Sequence, residues 1–328
     1  MANPYHIPSV YRQLLNPVKI LVRLLDFLFS FLRSAPEALR KVKVVCISDT
    51  HTLIPDDVPD GDILIHAGDL TNAGTPNEIQ AQIDWLCSLP HQYKIAIAGN
   101  HDTWLDPKSR ETLSPSDQNG HVDWKDIHYL QDSSVLLDLT STGRGRLRVF
   151  GGPHVPLVGG PEHAFQHPIE EDVWTGKIPP DVDIVVTHSP PKFHLDLPGV
   201  KAMGNPFLLR EIRRTKPVLQ VFGHIHAGKS DLLGLIKGGR EVVWWDEGER
   251  CFAEIMNGAS AEGLLGLIFG LLDLGAWFRL LAFVIYGSLA VAQDRVLGQR
   301  PASTFMVNAA LMYCDTGKIR NRPQVVEI

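Results

Sequence analysis

The sequence predicts an α/β fold, on three observations. Residues 42–51 read VKVVCISDTH, an apolar run without polar alternation that stops at Asp49 and His51; such a run is a strand buried on both faces, as at the centre of an α/β sheet. The pattern recurs in residues 62–69 (DILIHAGD), 94–102 (KIAIAGNHD), 183–188 (DIVVTH) and 218–226 (VLQVFGHIH), each ending in metal-capable or acid/base side chains. Between the second and third runs, residues 77–89 carry Ile79, Ile83, Trp85 and Leu86 at helical spacing. Open α/β sheets bind their ligands at the C-terminal ends of strands, so the five runs are expected to bring their Asp, Asn and His side chains to one sheet edge.

A chain of 328 residues buries a substantial core, as one large α/β domain or two small ones. The formal net charge of −6 disfavours a dedicated nucleic-acid binder, which would present a basic face; the tight basic cluster at residues 144–148 (RGRLR) reads as a solvated hairpin. Cys46, Cys87, Cys251 and Cys314 show no CxxC spacing, and Cys46 sits inside a buried strand. They read as reduced core thiols, which points to a cytoplasmic setting. The N-terminus does not read as a secretory signal, because Arg23 and Asp26 interrupt its apolar stretch and no small-residue cleavage site follows closely.

Four segments follow in order: 1–40, an irregular arm to residue 17 and then a helix; 41–258, the catalytic body; 259–300, an apolar helical insertion; and 301–328, the final strand or strands of the body. In residues 19–33 the polar residues Lys19, Arg23, Asp26, Ser30 and Arg33 recur every three or four positions among Leu, Ile, Val and Phe. That is a helix with a narrow polar stripe and a very wide apolar face, suited to packing on the domain or to lying on a membrane surface. Residues 106–126 read as a surface loop, and residues 135–139 and 147–150 as a hairpin around Gly143 and Gly145. Residues 151–168 form a long Gly/Pro-rich loop with His154, His163 and His167, placed either to line a substrate pocket or to lie on the surface. A strand is expected at 241–245. Between Glu262 and Gln293 the only charges are Asp273 and Arg279, and this stretch exceeds the roughly 20 residues that cross a bilayer. A single crossing would leave residues 305–313, which read as a strand of the same sheet, on the wrong side. A helical hairpin, an interfacial helix or a soluble cap each lets the chain return.

Carboxylate, carboxamide and imidazole ligands without thiolate suit divalent Mn, Fe or Zn. Seven such groups are too many for one tetrahedral zinc and suit two adjacent ions sharing a bridging carboxylate. Paired ions about 3.5 to 4 Å apart clamp the attacking and leaving oxygens of a displacement at phosphorus, which selects phosphoester hydrolysis.

In order and type, Asp49-x-His51, Gly68-Asp69, Gly99-Asn100-His101-Asp102, Thr187-His188 and Gly223-His224-Ile225-His226 resemble the signature of the calcineurin-like metallophosphoesterases. The flanking text, ILIHAGDLTNAG, VTHSPP, FGHIHAG and the late VNAALMY, is most similar to the small eukaryotic metallophosphoesterase-domain subgroup, itself similar to class III cyclic-nucleotide phosphodiesterases. The resemblance covers about residues 41–245 and 303–328 and implies a four-layer αββα sandwich. It also implies that Asp49, His51 and His226 hold one metal, that Asn100, His188 and His224 hold a second, and that Asp69 bridges them. His101 would face the substrate and assist the leaving alkoxide, with Asp102 orienting it, while a hydroxide formed on the metals attacks in line. Both histidines of GHxH are present, whereas Ala227 stands where this subgroup often carries an acidic residue. His66 reads as a hydrogen-bonded core histidine. The expected activity is metal-dependent hydrolysis of a phosphodiester or small phosphomonoester. The alternative is a low-turnover metal-binding scaffold at a membrane surface, and peripheral membrane association through residues 19–33 and 264–292 is expected in either case, with the active site in the cytosol.

Overall fold

The computed structural model describes residues 9–38, 40–197, 202–227, 230–231, 236–237, 239–261, 263–312 and 316–328. Residues 1–8 of the expected irregular arm lie outside them, and the rest of that arm is partly helical. Ser9 accepts a hydrogen bond from the Arg12 amide and starts α1 (Val10–Leu14), and Pro17 occupies the first turn of α2 (Pro17–Leu32), where a missing N–H is harmless. Next come β1 (Lys43–Ile47), β2 (Ile63–Ala67), α3 (Pro76–Ser88), capped by Thr75, and β3 (Tyr93–Ile97). The expected loop at 106–126 contains two four-residue helices, α4 (Pro107–Arg110) and α5 (Pro115–Gln118), because Asp106 and Ser114 each precede a proline and cap the turn that follows. β4 (Ile127–Tyr129) precedes the expected hairpin, β5 (Ser133–Asp138) and β6 (Arg146–Gly152), whose turn is permitted by positive φ at Gly143 and Gly145. The remaining elements are β7 (Val155–Pro156), β8 (Gln166–His167), β9 (Ile184–Thr187), α6 (Pro206–Thr215), β10 (Leu219–Phe222), β11 (Ser230–Asp231), β12 (Ile236–Lys237), β13 (Arg240–Trp244), α7 (Glu247–Asn257), α8 (Gly263–Leu272), α9 (Leu274–Leu297), β14 (Ser303–Asn308) and β15 (Gln324–Glu327). Tyr313, the last residue of the expected late strand, lies outside the described residues.

The elements form two compact units along other lines than the sequence boundaries. One comprises 38–191, 205–226 and 307–328; the other comprises 1–37, 192–204 and 227–306. The first unit contains a sheet in the order β15-β1-β2-β3-β4, parallel except for antiparallel β15 at its edge. Its second sheet has β10, β9 and β6 parallel and β5 antiparallel at the edge. Parallel neighbours need a crossover, which α3 supplies between β2 and β3 and α6 between β9 and β10. Ile79, Ile83 and Leu86 of α3 close over Val45, Ile47, Leu64 and Ala96 in one core, while Leu208, Leu209 and Ile212 of α6 are buried. The result is a mixed α/β sandwich of helix, sheet, sheet and helix. The five runs therefore end on two sheets rather than one edge. An unbroken apolar run reports burial on both faces but not which layer covers each.

In the second unit, α9 buries one seam, Leu280, Phe283, Gly287, Ala290 and Asp294. Gly287 allows Phe29 of α2 to sit where a Cβ would be, 2.3 Å from the ring. The two ends of the polar stripe of α2, Lys19 and Arg33, turn inward. Lys19 Nζ donates to Met256 O (3.1 Å), Gly258 O (2.6 Å) and Ser260 Oγ (3.0 Å) at the end of α7, and Arg33 pairs with Asp246, the N-cap of α7, at 2.5 Å. A cation thus meets the carbonyl end of α7, where the helix dipole favours it. Trp245 N donates to Ala302 O at 2.9 Å, so the chain leaves for α7–α9 and returns at one point.

Candidate active site

The polar ends of β1, β2, β3, β9 and β10 lie within the first unit. Getting their side chains to converge requires sharp bends, and the backbone shows them: Asp49 (φ 53°), His51 (45°), Thr52 (67°), Asp69 (53°) and His224 (65°) all lie in the left-handed region. Each costs a non-glycine residue on the order of 1–3 kcal/mol, and such residues cluster where function demands a particular aim. Hydrogen bonds hold the bends, Asp49 N to Gly68 O at 3.0 Å and His51 N to Asp69 O at 3.1 Å. The motif glycines make room for the carboxylates. A Cβ at Gly99 would lie 2.2 Å from Asp69 Oδ1, and one at Gly223 would lie 2.1 Å from Asp49 Oδ2.

Two groups of donor atoms result, each within 4.8 Å: Asp49, His51, Asp69 and His226, and Asp69, His188 and His224. Asp69 belongs to both. Its Oδ2 lies 3.6 Å from His51 Nε2 and 3.3 Å from His188 Nε2, and its Oδ1 accepts the His101 amide at 2.8 Å. Asp49 Oδ1 lies 3.0 Å from His226 Nε2, and the Asp49 carboxylate accepts the His224 amide at 3.1 Å. His188 Nδ1 donates to Ala67 O at 2.8 Å, which leaves Nε2 toward Asp69 and toward Asn100 Oδ1 at 3.2 Å. All seven residues expected to hold metal thus meet in one place.

The donor set fits divalent cations. His51 Nε2 is buried without a hydrogen-bond partner, a costly state for an imidazole unless an ion or solvent completes it. Burial alone would raise the pKa of both carboxylates, but His226 and His188 outweigh it at Asp49, and His188 does so at Asp69, so both stay well below the usual range. At His188 burial is outweighed by Asp69 and Asp49, and the pKa rises to about 9; at His224 burial, with His188 beside it, pushes it down to about 3. His66, buried with Nε2 3.0 Å from Thr50 Oγ1, has its pKa lowered to about 3 by burial.

His101 is fixed by its Nδ1, which lies 3.1 Å from Asn72 O and can only donate to that carbonyl. Asp102 does not orient the ring as expected. Its buried carboxylate accepts from Gly99 N (2.8 Å), Leu70 N (3.2 Å), Thr71 N (3.0 Å) and Thr71 Oγ (2.8 Å), joining the loop after β2 to the loop after β3. Adjacency in sequence could not reveal this, because the backbone turns between residues 101 and 102. Of the three histidines in the 151–168 loop, His163 reaches the cluster, 5.1 Å from the His101 ring and 3.4 Å from Asn100 Nδ2. His154 instead pairs with Asp132 at 2.8 Å, and His167 is buried with Nδ1 2.7 Å from Pro168 O. Neither Asn72, which acts through its carbonyl, nor the strained backbone carries a signature that sequence reading could use.

A sandwich that gathers Asp, Asn and His at the strand ends of two sheets defines a metal-binding hydrolase class. The description "Calcineurin-like phosphoesterase" matches residues 42–228, more than half of the chain, and the chain belongs to that family. The protein named "Probable rhamnogalacturonate lyase C" of Emericella nidulans is 45% identical over 239 residues, covering 71% of this chain and 21% of its own length. "Metallophosphoesterase domain-containing protein 1" of Homo sapiens is 38% identical over 216 residues, covering 59% of this chain and 63% of its own. The chain thus spans about a fifth of the first relative and under two thirds of the second. Among solved structures, TT1561 of Thermus thermophilus matches at a TM-score of 0.38 and 16% identity, over 62% of this chain and 93% of that one. Family membership and the Asp/His cluster together support metal-dependent phosphoester hydrolysis.

Proposed function

We propose that the chain hydrolyses a phosphodiester or small phosphomonoester with two divalent ions, Mn, Fe or Zn. Asp49, His51 and His226 would hold one ion, Asn100, His188 and His224 the other, and Asp69 both. The observation that carries this reading is that the two donor groups share Asp69. Bound there, such ions supply charge that lowers the pKa of water and neutralises phosphoryl oxygens. With Nδ1–H committed to Asn72 O, His101 in its imidazolium form presents Nε2–H to the substrate and gives that proton to the departing alkoxide, returning to the neutral ring. Asp69 holds the His101 backbone amide, and Asp102 keeps the two ligand loops in register. His163, edge-on to His101, lines the substrate side. The lyase named in the first relative is not proposed for this chain, which spans only 21% of that protein's length.

Mn-supplemented hydrolysis of an aryl phosphodiester and of the matching monoester tests the proposal in wild type and Asp69→Asn. Turnover by wild type, lost in the variant, is the expected result, and the ratio of the two rates narrows the substrate class. Wild type that binds two ions per chain yet turns over neither ester overturns hydrolysis in favour of a metal-binding scaffold.

A further inference from the structure

The second unit buries an apolar core that includes Val22, Phe252, Met256 and Phe283 and yet turns a further set of large apolar side chains outward, which carries an inference independent of the phosphoesterase reading. Helices α2, α8 and α9 face outward with large apolar side chains: Phe31 of α2 is 75% exposed, Leu265, Phe269 and Leu272 of α8 are 72%, 70% and 69% exposed, and Phe278 of α9 is 69% exposed. Helix α9 runs 24 residues, about 36 Å at 1.5 Å per residue, yet only 22% of its most apolar stretch is buried. A core helix of that composition would be covered. Several charged groups, by contrast, are paired inside. Lys19 donates to three oxygens at the end of α7, Arg33 pairs with Asp246, and Asp294 accepts Ser34 N at 2.6 Å and Arg300 Nε at 2.7 Å. Internal satisfaction of polar groups with apolar side chains outward is the arrangement that a lipid surrounding imposes and that water does not.

We propose that this surface docks the protein into one face of a lipid bilayer, with α2, α8 and α9 seated at the boundary between headgroups and acyl chains. A second copy of the chain fits less well. It would cover one face, whereas α9 buries a single seam, Leu280 to Asp294, and leaves most of its remaining circumference uncovered. A crossing by α9 alone is excluded by the hydrogen bond from Trp245 N to Ala302 O, which puts both ends of the excursion at one point, so the chain enters and leaves from the same side. The two charges in the apolar stretch are compatible with this seat. Asp273 caps α9 by accepting Ala276 N at 3.0 Å, and Arg279 is exposed with a stem long enough to reach the headgroups.

The test is flotation of full-length protein synthesised in the presence of phosphatidylcholine vesicles, comparing wild type with the triple variant Leu265→Ser, Phe269→Ser, Leu272→Ser. Wild type should rise with the vesicles. The variant should partition at least about a hundredfold less, because three large apolar side chains are withdrawn from lipid. Unchanged Mn stoichiometry in the variant shows that it has folded, whatever its turnover. Wild type that stays at the bottom of the gradient, or a variant that floats equally well, overturns the proposal. Wild type that remains unfloated as a dimer, which the variant splits, assigns the surface to a second copy and overturns it as well.

Discussion

At Gly99 the backbone lies so close to the Asp69 carboxylate that a methyl group would sit 2.2 Å from Oδ1. Its φ lies outside the positive range, so alanine would suit the backbone at 99 itself, but the Asp69 carboxylate, the Asp69 amide at 2.3 Å and the His188 ring at 2.7 Å would all have to give way. Gly99→Ala is therefore expected to lose bound Mn and to lower hydrolysis by a factor of about a hundred or more, on the order of 3 kcal/mol. Equilibrium dialysis beside a melting curve checks it, and a variant that retains full metal stoichiometry would show that the close approach is incidental. The gathering of the donor side chains was legible from sequence: Asp49, Asp69, His188 and His226 stand where buried apolar runs stop. The role of Asp102 was misread and that of Asn72 went unseen, because both depend on how the chain turns after β2 and β3, which is a matter of φ rather than residue type.

Between elements, His194 links the loop at 192–197 to β13 and α7. Its Nδ1 lies 2.9 Å from Glu241 and its Nε2 3.7 Å from Glu249, with Asp26 of α2 acting on the same cluster. Burial pulls the His194 pKa down, but Glu241 and Glu249 outweigh it and carry it to about 10. A histidine whose folded pKa is raised stabilises fully below its ordinary value near 6.5, and that contribution is lost as the pH climbs through about 10. His194→Gln should thus melt below wild type at pH 6, by about 3 kcal/mol as for a broken buried pair, and the gap should close toward pH 10. A gap independent of pH would assign the loss to packing instead. At this scale the sequence spoke unevenly. The stripe of Lys19, Arg23, Asp26, Ser30 and Arg33 announced a helix, but spacing cannot say whether a stripe faces water or a neighbour, and here Lys19 and Arg33 face α7. Likewise, strands buried on both faces lose the period of two that would have sorted β9 and β10 into a sheet apart from β1, β2 and β3.

Over the whole molecule, every residue of the metal cluster lies in the first unit. Mn at a hundred times its dissociation constant should stabilise that unit by about 2.7 kcal/mol. Where calorimetry resolves two transitions, metal should move one and leave the other in place; a common shift of both would show that the units unfold as one. The sequence placed an apolar insertion at 259–300 because its charges vanish there, but it could not show that residues 1–37, 192–204 and 227–258 belong with it, since those pieces are joined only by tertiary packing.

The first unit's chain breaks off at His226 and resumes at Val307. Across that gap Asn308 Nδ2 donates to Ile225 O at 3.0 Å, and Ala309 N to Phe222 O at 2.7 Å. The intervening residues, 227–306, therefore hang from neighbouring points, like a cassette spliced between two adjacent codons of a shorter gene. Such a cassette can be lengthened or trimmed over generations without moving the points at which the first unit's chain leaves and resumes. Its outer surface is free to drift toward new surroundings while His224 and His226, just upstream of the splice, stay where they are.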